Sequence, residues 1–96
     1  GLWDVIKPKL VYGENVRQAL QFIQTGNAQA GIVALSIADV PEVNFTIIDQ
    51  KLHSPIRQAA AVVKSTKNER AARAFIKFVN GAKGRPVMER YGFKIP

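Results

Sequence analysis

The chain has 96 residues, a net charge of +7, an apolar fraction of 47% and no cysteine. That length allows one small folded unit with a thin stability margin, and the apolar content fits a globular chain rather than a disordered one. The missing cysteines exclude disulfides and thiolate metal sites, and no apolar run approaches the roughly 20 residues of a membrane span.

Residues 2–6 have the pattern of a helix end, stopped by Pro8, which lacks the amide needed to continue. Lys9-Leu10-Val11 is a short strand candidate. Tyr12-Gly13-Glu14 then leads into a helix over about 15–25. Val16, Ala19, Leu20 and Ile23 recur there at the spacing of one helix face. Gly26 falls where the chain must enter the left-handed region to leave that helix. Ala30-Gly31-Ile32-Val33-Ala34-Leu35 is short, apolar and partly branched, as a buried strand should be. Ser36-Ile37-Ala38-Asp39 has the makings of a single helical turn with Ser36 as its cap, ended by Pro41.

Asn44 to Asp49 has the branched and aromatic enrichment of a strand. Lys51 to Pro55 is a connector. Arg57 to Lys64 is a further strand candidate, centred on Ala59-Ala60-Ala61-Val62-Val63. Thr66-Lys67-Asn68-Glu69 fits a capping box at the start of a second long helix. Ala71, Phe75, Phe78, Val79 and Ala82 form its apolar stripe, widened by Ala72 and Ile76. Pro86 fits the first turn of a last short helix over 86–91, which Gly92 caps, and Phe93 and Ile95 are expected to tuck onto the core. Strands alternating with helices make the class α/β with a mainly parallel sheet.

Charge is uneven. Residues 1–56 carry four bases and five acids, whereas residues 57–96 carry ten bases and two acids. The plain reading is a solvated basic face. The sharper one is a small basic α/β interaction module that uses residues 57–94 on an acidic partner or nucleic acid. No zinc-finger spacing or RNA-binding aromatic signature supports nucleic acid.

Catalytic chemistry has little footing. His53 is the sole histidine and sits in a connector, where a lone histidine usually has a structural or solvated role. The carboxylates Asp4, Glu14, Asp39 and Asp49 are scattered without acid–base pairing, and Gly81-Ala82-Lys83-Gly84 lacks the full phosphate-loop pattern. The start of the 15–25 helix is different. Amides at a helix start point outward and make an anion site without a charged side chain. Asn15 and Val16 stand there. The plain reading is that Asn15 only caps the helix and Val16 only begins its apolar face.

The run from Tyr12 through Gly26, with Glu14-Asn15-Val16-Arg17 entering the helix and Gly31-Ile32-Val33 following it, resembles the periplasmic molybdate-binding proteins of ABC transporters. Trp3-Asp4, Ser54-Pro55-Ile56 before Ala59–Val63, and Glu89-Arg90-Tyr91-Gly92-Phe93 fit in the same order. The resemblance covers nearly the whole chain. It implies a C-terminal portion of a two-lobed fold. Residues 1–50 would be part of the second, cleft-forming lobe and 51–56 a hinge connector. Residues 57–96 would be the returning strand and closing helices of the first lobe.

It further implies a binding protein rather than an enzyme, with a molybdate or tungstate-type oxyanion as ligand and no cofactor or metal cation. An ABC permease would be the partner, in a periplasmic or extracytoplasmic setting. The N-terminus lacks a basic segment followed by an apolar one, so no signal peptide is expected in it. By the resemblance, the Val16 amide donates to the anion, and the position of Ala34 often carries a tyrosine whose hydroxyl also donates. Alanine removes that donor. The ligand-binding residues expected are therefore Asn15, Val16 and Ala34, with weak or no binding by this chain alone. Uncovered apolar helix faces and sheet edges lead to a further expectation, a dimer, either a plain two-fold pair or one exchanged through Lys51–Ile56.

Overall fold

The computed structural model describes residues 1–95 and divides the chain into two units, Gly1–Thr46 and Ile47–Pro96. In the first unit, α1 (Trp3–Ile6) is one turn long. It tightens through Pro8 into a 3-10 turn at Lys7–Lys9, and Leu10 is the first extended residue. Lys9 thus belongs to that turn and not to a strand. Helix α2 (Val16–Gln24) follows the periodicity of its apolar residues. Leu20 on its inner face is 2% exposed, and Ala19 and Ile23 beside it are half-buried.

The end of α2 needs glycine. Gly26 has φ +77°, and its amide donates to the Ile23 carbonyl while the Ala28 amide reaches back to Phe22. The chain then returns alongside the helix. A Cβ at Gly31 would lie 2.7 Å from Ile23 Cδ1, so the tip of the Ile23 side chain would have to turn aside for any larger residue. Beyond it, Ile32 is 81% exposed while Val33 and Ala34 are half-buried. The single turn α3 (Leu35–Ala38) packs on α2 and buries Ala38. It starts two residues earlier than a cap at Ser36 would have it. Ala34 occupies its N-cap with no side-chain hydrogen bond, so the Ser36 cap does not form.

The parallel sheet is not present among the described residues, where there is no strand. Residues 9–11, 30–35, 44–49 and 57–64 have strand composition, but no backbone ladder forms between them. The reason is that a helix satisfies its own amides four residues away, whereas a strand needs a second extended run beside it. Composition alone cannot supply that neighbour. Accordingly Ile47, Ile56 and Val63 stay exposed.

In the second unit, α4 (Glu69–Asn80) packs against α5 (Gly84–Arg90). The capping box does not form. Thr66 lies too far back: its hydroxyl accepts from the Asn68 amide in a local turn, and Asn68 is the N-cap. Glu69 is then the first helical residue and pairs with Arg73 at 2.8 Å. The half-buried face of α4 is Ala72, Ile76 and Val79, while Ala71, Phe75 and Phe78 remain exposed. Gly84 is buried where the end of α4 approaches it closely, and a Cβ there would collide with the Phe78 and Val79 carbonyls. Helix α5 starts at Gly84, two residues before Pro86, and ends in a Schellman motif. Gly92 has φ +87°, its amide donates to Glu89, and the Phe93 amide donates to Met88.

Candidate functional site

The start of α2 is built by local bonds. Asn15 takes an extended backbone, φ −151° and ψ 171°, and its Oδ1 accepts from the Gln18 amide at 2.9 Å. Gln18 answers by accepting, through Oε1, from the Glu14 amide at 2.6 Å. This is a capping box displaced by one residue, since the usual return bond goes to the N-cap amide itself. The Asn15-x-x-Gln18 spacing carries that signal in the sequence. Gly13 lets the entering loop lie on the helix, because a Cβ there would sit 2.8 Å from the Ala19 nitrogen.

These bonds leave three donors over, the N-cap amide of Asn15 and two in the helix itself. Ala19 donates to the Asn15 carbonyl, and Gln18 to the Asn15 side chain. The amides of Val16 and Arg17 have no acceptor among the described residues. Val16 is 48% exposed, so the site is open to solvent. No acidic residue occupies the first turn of α2. The Arg17 guanidinium is exposed and has no carboxylate within ion-pair distance among the described residues. Aligned peptide dipoles add about half a positive charge at such a terminus. The arrangement can donate two hydrogen bonds to an anion from a backbone already fixed in place.

Asn15 and Val16 are adjacent on this terminus, while Ala34 caps the neighbouring α3 in the same unit. Ala34 is half-buried and brings no polar side-chain atom. His53 is exposed, and its Nδ1 bonds to the Ser54 carbonyl at 2.9 Å. No cluster of three or more potential metal-ligating side chains occurs among the described residues. No described helix is long and apolar enough to cross a membrane.

The family model of bacterial extracellular solute-binding proteins matches residues 1–94. A putative ABC transporter substrate-binding lipoprotein of Bacillus subtilis, YvgL, is 39% identical over 96% of this chain and 36% of its own length. The molybdate-binding protein ModA of Azotobacter vinelandii is 36% identical over 97% of this chain and 38% of its own length. ModA of Rhodobacter capsulatus is 33% identical, over 97% and 37% respectively. The chain thus spans a little over a third of the length of these relatives. No solved structure matches it. With nearly every residue inside the family match, the chain belongs to the bacterial extracellular solute-binding proteins.

Proposed function

We propose that this chain supplies one wall of a binding site for a tetrahedral oxyanion of the molybdate or tungstate type, for uptake through an ABC permease outside the cytoplasm. The observation that carries the reading is the pair of free amides of the helix at Val16 and Arg17, held by the Asn15–Gln18 and Glu14–Gln18 bonds. A large hydrated dianion can exchange its water shell for neutral donors, with the helix dipole balancing charge. The curated relatives named for molybdate binding add support.

In this reading, residues 1–50 contribute to one lobe, 51–56 form the hinge, and 57–96 return to the other. Asn15 shapes the site, Val16 donates its amide, and Ala34 lines it without a donor. Most donors come from elsewhere in the complete fold, so the 96-residue chain binds molybdate weakly by itself. Each charge-assisted hydrogen bond lost removes about 1.5–3 kcal/mol.

The test is calorimetry on a chimera in which this chain replaces the matched stretch of the Azotobacter vinelandii relative. The chimera is expected to bind molybdate, and Val16→Pro to weaken it roughly 10- to 100-fold. Proline suits the first helical position, and Asn15 already has the extended backbone that must precede it. Unchanged affinity in a folded Val16→Pro chimera would remove the amide from the site. Salt-dependent retention on a polyanion resin without any molybdate response would instead favour the basic interaction module.

A further inference from the structure

Both side chains that fix the entry to α2 are neutral amides. Asn15 Oδ1 accepts from the Gln18 amide at 2.9 Å, and Gln18 Oε1 accepts from the Glu14 amide at 2.6 Å. Aspartate and glutamate make the same two bonds. The helix dipole even favours them, because negative charge stabilises an N-terminus. Gln18 is the third residue of α2, where a capping box commonly carries glutamate. Helix α4 has such a charge, on Glu69 in its first turn. The start of α2 keeps the acceptors and omits the charge.

Its position makes the missing charge matter at Gln18. The side chain is half-buried, and the bond to the Glu14 amide holds its oxygen in place. Glu14 lies two residues before Val16. The Gln18 oxygen is therefore within roughly 10 Å of the Val16 nitrogen, whatever the path of the loop. That is about one Debye length at physiological salt. A carboxylate fixed here could not withdraw from an anion on the Val16 and Arg17 amides. The Glu14 carboxylate differs, since that residue is exposed and has no ion pair among the described residues. Only its backbone amide is tied, and its side chain can turn into solvent.

We infer that Gln18 is a positioning and specificity-determining residue of the oxyanion site. Its side chain fixes the loop entering α2 through a neutral acceptor, so the field before the free amides stays positive and admits a dianion. The inference rests on the oxyanion reading and adds Gln18 to the residues which that reading uses. Gln18 acts through Glu14 and the backbone that follows it, not by touching the anion.

The first measurement uses the 96-residue chain with no anion present. In Gln18→Ala, amide exchange followed by NMR should be about two- to tenfold faster at Glu14, from loss of one hydrogen bond. In Gln18→Glu it should be no faster than in the parent, because the carboxylate takes over the bond. An unchanged Glu14 rate in Gln18→Ala would overturn the inference, whatever becomes of the oxyanion reading.

The second measurement is calorimetry with molybdate on the chimera described above. At about 20 mM salt, Gln18→Glu should weaken binding at least about fivefold, through repulsion between a unit charge and a dianion some 10 Å apart. At about 1 M salt the Debye length is about 3 Å, and the gap to the parent chimera should close to under about twofold. Gln18→Ala should bind about two- to tenfold more weakly at both salts, since it loses a bond and adds no charge. The melting temperature of Gln18→Glu should be no lower than the parent's, so stability and affinity part at this residue. Equal affinity of Gln18→Glu and parent at low salt would overturn the inference. So would a gap that salt leaves unchanged, or a lower melting temperature in Gln18→Glu. A parent chimera that takes up no molybdate would remove the oxyanion reading, and this inference with it, so the two failures are distinct.

Discussion

Two helices of this chain start at an asparagine, and they start differently. At α2, the Asn15 side chain accepts from Gln18, Gln18 reaches back to Glu14, and no acid follows in the first turn. At α4, Asn68 has φ −123° and ψ 45° and makes no side-chain cap bond, and Glu69 opens the helix and pairs with Arg73. The first terminus has settled backbone and free amides with a positive field in front of them. The second carries a negative charge in its first turn, on Glu69, which pairs with Arg73 one turn along. The difference teaches that a capping residue does not make an anion site. The first-turn charge and the fixing of the loop decide it.

The largest effect that would sharpen this contrast comes from what seats each helix. Leu20→Ala removes the one large side chain of α2 that is fully buried, and should cost about 2–5 kcal/mol as a core truncation. Phe75→Ala on α4 should cost under about 1 kcal/mol in the isolated chain, because the ring is 67% exposed. Helix content and amide exchange at the two helices would separate the outcomes. Next comes Val16→Pro, worth about 1.5–3 kcal/mol of anion affinity with the fold kept. The matching change at α4, Glu69→Pro, should leave anion affinity where it was.

Third is the cap itself. Asn15→Ala should cost about 0.5–2 kcal/mol, since it deletes a formed bond to the Gln18 amide. Asn68→Ala, with no such bond to lose, should cost a few tenths. Equal losses in thermal melts would break the comparison. The smallest effect is Glu69→Gln. It removes an exposed ion pair of the i,i+4 type, worth about 0.3–0.5 kcal/mol at low salt. The loss should fade as salt is raised.

What was legible in the sequence follows from what is local. The 3.6-residue recurrence of Val16, Ala19, Leu20 and Ile23 marks α2, and Gly26 and Gly92 mark their helix ends through the left-handed backbone only glycine adopts cheaply. Asn15 as a cap is readable because its bond spans three residues. Thr66-x-x-Glu69 has the letters of a capping box, yet the helix starts at Glu69 itself. Competing caps a residue or two apart, Thr66 and Asn68, are not resolved by spacing. The strand-like runs around Ile32, Ile47 and Val62 show the limit more fully. Their pairing depends on backbone that lies elsewhere, which composition does not describe. Gly84 was illegible for the same reason: it is needed because the carbonyls of α4 approach it.

The most direct test of the contrast is an amide-resolved NMR titration of the 96-residue chain with molybdate up to millimolar concentration. Saturable shifts are expected at the Val16 and Arg17 amides of α2, and none at Glu69 and Arg70 of α4. Shifts of equal size at both helix starts would contradict it. So would shifts confined to the basic residues after 57 with Val16 unmoved.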